Sequence, residues 1–481
     1  ALVETNALNL PGIYIDITPI RLYLDGEILA PVIGYTGEIS KEEIEKSDDK
    51  YAYGDISGKH GLERFFDEYI RGRRGAELVE VNAYGREIKN MGRKDPVPGY
   101  NMVLTIDADL QKAAWQAIEG KAGSAVAMDP RDGSILAMVS SPSFDPNLFN
   151  EGISGELWNQ LQSNPFAPLS NKAISGQYPP GSTYKLIVAA AALEEGIITP
   201  DTKVFCNGFF TLGNRTYRCW KRGGHGHVDL HKAIVGSCDV YFYTVGKMLG
   251  VDKIAEYARR FGLGETAGID LPNEKKGLVP TKDWKLKKKK EAWQMGETIS
   301  IAIGQGYNLV TTLQLANAFG TFANGGTLWR PYLVKKIEMT DGRLYKEFFP
   351  VKRGMLNLKP ETIEILNNAL RGVVNEPGGT GQNAKLPGIE VCGKTGTSQV
   401  MGLPESEKAR RRKVLGAFQK DHALFACYAP SKNPEIVIAV ILENAGGGGA
   451  VAAPVARKIL SAYFEGKKKD KRPQNVAPSG V

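Results

Sequence analysis

Residues Leu186 to Leu193 form an unbroken apolar run, and no other stretch limits the fold as much. Pro179, Pro180 and Gly181 stop whatever precedes it and Gly196 closes it, which is the punctuation of a helix. A helix apolar on every face has to be buried inside a domain. Its entry is polar: Tyr178-Pro179-Pro180-Gly181-Ser182-Thr183-Tyr184-Lys185. Ser182 and Lys185 are three apart and share one helix face, with the hydroxyl at the positive end of the helix. A buried lysine is costly unless it is paired or working, so the two read as an activated nucleophile. S-x-x-K by itself is a short pattern, and a serine at a helix N-terminus is its plainer reading.

The 481 residues leave room for two or three domains. Residues 1–100 carry short runs expected to be extended, Gly12 to Ile17, Leu29 to Tyr35 and Ala76 to Val81. A charged helical piece lies between the last two, around Lys41 to Arg74. This is a small mixed α/β unit without candidate chemistry, suited to holding or positioning something. Pro96-Val97-Pro98-Gly99 marks its end. Residues 101–465 then read as one larger domain. It begins with a helix, Asp107 to Gly120, and a hairpin of Ser124 to Met128 and Ser134 to Ser140 across Asp129-Pro130-Arg131-Asp132-Gly133. About 240 mainly helical and loop-like residues follow. Strands return at Gly388 to Thr397, His422 to Tyr428 and Glu435 to Leu442, before a last helix, Val451 to Phe464. Residues 466–481 read as a disordered tail. The expected class is α+β, one antiparallel sheet flanked by helices with a large helical insertion.

The net charge of +8 gathers partly in Lys285 to Lys290, Arg410 to Lys413 and Lys467 to Lys471. These runs read as solvated loops and tail, and without interleaved aromatics they do not suit nucleic acid. No run of about 18 apolar residues occurs, so nothing here reads as a membrane span.

Two further motifs follow Ser182. Ser237-Cys238-Asp239 precedes the apolar run Val240-Tyr241-Phe242-Tyr243, and Lys394-Thr395-Gly396-Thr397 lies in a late strand. S-x-x-K, S-D-N and K-T-G in this order are the signature of penicillin-binding proteins and serine β-lactamases. Met128-Asp129-Pro130, Phe144-Asp145-Pro146-Asn147, Ser300 to Gly306 and Gly378-Gly379-Thr380-Gly381 resemble further signatures of the penicillin-binding transpeptidase domain. Residues 35–100 resemble the pedestal of class B members, so the resemblance spans nearly the whole chain. It is nearest to the elongation-specific class B transpeptidases, partly because Asp239 stands where division-specific relatives usually carry Asn.

The resemblance implies a peptidoglycan D,D-transpeptidase that cross-links stem peptides ending in D-Ala-D-Ala and is inhibited by β-lactams. Ser182 would attack and carry the acyl group, with Lys185 as its base. Ser237 would relay a proton to the departing D-Ala, Asp239 would orient Lys185 or Ser237, and Lys394 would lower the Lys185 pKa. Thr395 and Thr397, two apart on a strand, face the same way and with Gly396 would hold the substrate carboxylate. The N–H groups of Ser182 and Thr397 would form the oxyanion hole. No cofactor is implied for catalysis. A lipid-II glycan polymerase and an elongation-complex scaffold are the implied partners, in cell-wall elongation and rod-shape maintenance, at the periplasmic face of the inner membrane. Class B chains usually begin with a membrane anchor, so Ala1 is expected to start inside the pedestal. The loop 401–420 is expected to border the site, with Gly446 to Gly449 as a mobile rim. A β-lactamase of class A would need Glu-x-x-x-Asn within some tens of residues of Ser237, and none occurs within about 40. A D,D-carboxypeptidase and a β-lactam sensor remain as alternatives.

Cys206, Cys219, His225 and Cys238 fall within 33 residues. Three thiolates and an imidazole are a standard tetrahedral zinc set; a disulfide and ordinary buried thiols are the other readings. Four protein ligands would make such a zinc structural, and on Cys238 it would tie down the Ser237 loop. His227 could substitute as a ligand. Cys392 and Cys427 read as small core residues or a cross-strand pair.

Overall fold

The computed structural model describes residues 20–47, 50–83, 87–150, 152–399 and 420–470. Beyond residue 100 the chain is built on a five-stranded antiparallel sheet ordered β3-β4-β5-β1-β2. Its strands are β1 Gly123–Met128, β2 Ile135–Ser141, β3 Cys392–Ser398, β4 His422–Ala429 and β5 Ile436–Leu442. Early and late strands meet in its middle, where Val440 of β5 lies opposite Ala125 of β1. Every residue of β5 is buried, as a continuous apolar run covered on both faces should be.

Helices cover both faces. On one lie α1, Ala108–Ile118, and the C-terminal α7, Gly448–Asp470. On the other lie α2, Lys185–Glu194, and α5, Thr312–Ala323, with α3 Leu230–Val235, α4 Asp239–Leu249 and α6 Pro360–Asn375 completing the helical part. In α2 every residue from Lys185 to Ala192 is buried, as its uniformly apolar sequence demands. Alternation along β3 sends Lys394 toward α2 and Thr395 and Thr397 toward the start of α7.

Several expectations change. Leu29 to Tyr35 is not extended: Gly26–Ile33 is a helix that contains Pro31, and Ala30 packs with Phe144 and Phe149. The charged piece from Lys41 is short helices, Lys41–Glu45, Gly61–Phe65 and Asp67–Ile70, interrupted by the strand Ile56–Gly58. The middle of the chain holds small two-stranded pairs, including Val204–Cys206 with Gly226–Val228 and Phe209–Leu212 with Arg215–Arg218. The last helix reaches Asp470, so residues 466–470 are helical rather than tail. Residues 471–481, the expected strand at Gly12 to Ile17 and all of the loop 401–420 except Lys420 lie outside the described residues.

Residues 20–100 dock on the larger body through aromatic contacts. Phe66 meets Phe348 edge-on and Tyr100 stacks on Tyr345 at 4.3 Å. The strand Asn101–Leu104 pairs with Val334–Glu338. The ribbon Ala76–Val81/Glu87–Lys94 instead stands clear, with Leu78, Val81, Ile88 and Met91 exposed. No described helix is long and apolar enough to cross a membrane.

Candidate active site

Ser182 sits in a single 3₁₀ turn, Gly181–Tyr184, that runs directly into α2. The turn lies hard against the edge of β3. A Cβ on Gly181, whose φ is +54°, would stand 2.7 Å from Thr397 O and 3.2 Å from Thr397 N. Only glycine permits both that backbone and that approach. The segment Ser300 to Gly306 staples the junction: Gly181 N–H donates to Gly304 O at 2.8 Å, and Gln305 Nε2 donates to Thr397 O at 3.0 Å. The Thr397 amide is thereby held beside Ser182.

At the first residue of α2, Lys185 is wholly buried. Its Nζ donates to Ser237 O at 3.0 Å, to Ser237 Oγ at 3.2 Å and to Asp239 Oδ1 at 2.6 Å. Lys394 reaches the same hydroxyl from β3, with Nζ 2.9 Å from Ser237 Oγ and a second bond to Thr395 O. The S-x-x-K, S-C-D and K-T-G residues therefore meet at Ser237 Oγ. Ser182, half-buried, makes no side-chain hydrogen bond among the described residues.

Electrostatics separate the two lysines. Burial pushes Lys394 well below the usual lysine range, the neighbouring Lys185 charge adds to this, and Asp239 only partly opposes it. Lys185 is the one in contact with a carboxylate. The lysine pushed down is thus Lys394.

Ser237 adopts φ +53°, a left-handed conformation rare for non-glycine residues. Cys238 is the N-cap of α4, and Asp239 occupies its first turn, where a carboxylate is favoured. Trp220, which nothing in the sequence singled out, holds both flanks of Cys238. Its backbone N–H donates to Asp239 Oδ2 at 2.9 Å, and its indole N–H to Gly236 O at 3.1 Å and Ser237 O at 3.0 Å.

Thr395 and Thr397 do point the same way, but neither hydroxyl is idle. Thr395 Oγ1 lies 2.8 Å from Thr380 Oγ1, and Gly448 N–H donates to Thr397 Oγ1 at 3.5 Å. The glycines expected as a rim are partly packed: Gly448 opens α7, and a Cβ there would stand 2.2 Å from Gly396 O.

Behind the second motif, the ligand atoms of Cys206, Cys219, His225 and Cys238 all lie within 4.8 Å of one another. His225 Nδ1 is 3.6 Å from Cys206 Sγ and 3.5 Å from Cys219 Sγ. Cys219 is pushed down, first by its hydrogen bond with Cys238, whose own thiol is pushed up by the same bond and by burial. His227 pairs across strands with Phe205 and is outside the cluster. Cys392 lies opposite Tyr428 and Cys427 opposite Gly393, so the two thiols project from opposite faces and cannot form a cross-strand pair. All five cysteines are free.

The penicillin-binding protein transpeptidase domain model matches residues 123–461, and the penicillin-binding protein dimerisation domain model matches residues 1–104. The Haemophilus influenzae peptidoglycan D,D-transpeptidase MrdA is 41% identical over 457 residues, covering 92% of this chain and 69% of its own length. The complex of penicillin-binding protein 2 and MreC from Helicobacter pylori superposes with a TM-score of 0.83 at 30% identity, over 97% of this chain and 83% of the other. A peptidoglycan synthase complex, described as coordinating polymerization and crosslinking, superposes with a TM-score of 0.80 at 33% identity, over 96% and 79%.

Proposed function

The chain belongs to the penicillin-binding protein transpeptidase family, and from that premise we propose how its residues carry out peptidoglycan D,D-transpeptidation. The activity is cross-linking of stem peptides through an acyl-enzyme, with β-lactams as inhibitors. One observation carries the residue assignment: two buried lysines from distant segments share Ser237 Oγ, and one of them, Lys185, lies three residues after the half-buried Ser182.

Ser182 Oγ attacks the carbonyl carbon of the penultimate D-Ala, and the bond to the terminal D-Ala nitrogen breaks. The attack needs a neutral amine at Lys185. Lys185 gives a proton through Ser237 Oγ to Lys394, whose neutral form burial favours. Neutral Lys185 then takes the Ser182 proton. The departing amine is protonated through Ser237, and Lys394, now charged, adds positive potential for the terminal carboxylate. Asp239 stays paired with Lys185 throughout. The N–H groups of Ser182 and Thr397 stabilise the oxyanion, where losing one donor costs about 100- to 1000-fold. Thr395, Gly396 and Thr397 line the carboxylate side, with the Thr380 hydroxyl as a fourth contributor. An acceptor amine resolves the acyl-enzyme.

Cys206, Cys219, His225 and Cys238 suit a structural zinc. Bond lengths of 2.3 Å to sulfur and about 2.05 Å to nitrogen give a tetrahedral N–S edge of about 3.6 Å, which matches the His225 distances. A bound zinc would supply a clamp on the loop carrying Ser237 and no chemistry in the reaction.

The setting is the periplasmic side of the inner membrane, with an MreC-type scaffold and a glycan polymerase as partners in elongation. The exposed apolar residues of the ribbon Ala76–Val81/Glu87–Lys94 are available for such contacts. Incubation with glycan strands bearing pentapeptide stems tests the reaction. Cross-linked product with one D-Ala released per cross-link is expected; D-Ala release without cross-links would identify a carboxypeptidase instead.

A further inference from the structure

We propose that Trp220 is a positioning residue for the proton relay, acting through Ser237. The proposal rests on the transpeptidase reading of the Ser237 site.

Ser237 must aim its Oγ between Lys185 and Lys394, and it does so from φ +53°. A serine does not hold that backbone by its own preference. Two donors converge on its carbonyl: Lys185 Nζ at 3.0 Å from within, and Trp220 Nε1 at 3.0 Å from outside. The same indole N–H reaches the preceding carbonyl, Gly236 O, at 3.1 Å. It therefore bridges the two peptide units whose orientation sets the left-handed turn. The Trp220 main chain meanwhile donates to Asp239 Oδ2, leaving Oδ1 for Lys185.

Burial does not explain this placement. Trp220 is 56% exposed, so the core does not fix its side chain. Its neighbour Cys219 is buried in the thiol–imidazole cluster, and the indole meets His225 edge-on at 5.6 Å. The cluster anchors residue 219, and residue 220 carries that anchoring across to the relay. Losing the indole N–H while keeping Cys219 frees the Ser237 carbonyl on its outer side. The hydroxyl then samples directions away from one lysine or the other, and proton transfer between them slows.

The test is a double-mutant cycle on the second-order acylation rate by a fluorescent penicillin. The variants are Trp220→Phe, Ser237→Ala and the double variant, each with its pH profile and bound-metal content. Trp220→Phe is expected to slow acylation about 10- to 100-fold, to move the acid limb of the profile, and to leave metal content unchanged. In the Ser237→Ala background it is expected to have no further effect. An equal fold-loss in both backgrounds, or wild-type acylation with an unmoved profile, overturns the proposal. Should Trp220→Phe not fold, 3-benzothienylalanine at position 220, matched in shape but lacking the N–H, supplies the same cycle. Failure of the underlying reading would look different: wild-type protein would take up no penicillin.

Discussion

Lys185 and Lys394 direct their amines at one hydroxyl, Ser237 Oγ, from 3.2 Å and 2.9 Å, and only Lys185 has a carboxylate against it. Burial, with the Lys185 charge beside it, drives Lys394 toward neutrality, and the pH behaviour follows.

Lys394 has a folded-state pKa below its unfolded one. Its burial therefore costs stability at low pH, and that cost is relieved as pH rises from the folded toward the unfolded value. Lys394→Met should stabilise the protein at neutral pH by about 1 kcal/mol or more, while acylation falls about 100-fold or more. Thermal melting beside penicillin labelling checks both signs. In the wild type, acylation should rise with pH along a limb well below the usual lysine range.

Asp239→Ala leaves the Lys185 ammonium buried without its partner. Breaking a buried pair from one side costs about 3–5 kcal/mol. Urea unfolding should show a loss of this size, and a shift below about 1 kcal/mol would mean that the pair is not needed.

Gly181→Ala should retain much of the fold and lose most acylation. An added Cβ would strike Thr397 O at 2.7 Å, forcing the Ser182 turn off the edge of β3. The labelling rate should fall about 100-fold if the oxyanion pair is broken.

The thiol–imidazole cluster predicts one zinc per chain by elemental analysis. Chelation should lower the melting temperature and slow acylation, because the Ser237 loop loses its anchor. A stoichiometry near zero would contradict the assignment.

The three motifs whose residues meet at Ser237 were legible because each is a local pattern, and the apolar run after Lys185 announced the central helix. The late strands were legible because β4 and β5 are continuous apolar runs. Short apolar runs are ambiguous, and Leu29 to Tyr35 went astray for that reason, with Pro31 inside a helix that tertiary packing sustains. The strands around 204–228 were missed because runs of three or four residues, half of them exposed, leave no periodic signal. Trp220 left no trace at all: its partners are carbonyls 16 and 17 positions later. The depression of Lys394 comes from its burial beside Lys185, and spacing alone does not encode that.

Intact mass after exposure to penicillin tests the central claim most directly, comparing wild type with Ser182→Ala. The wild type should gain the mass of one penicillin and the variant none. An adduct that survives in Ser182→Ala would contradict the assignment of the nucleophile and the relay built around it.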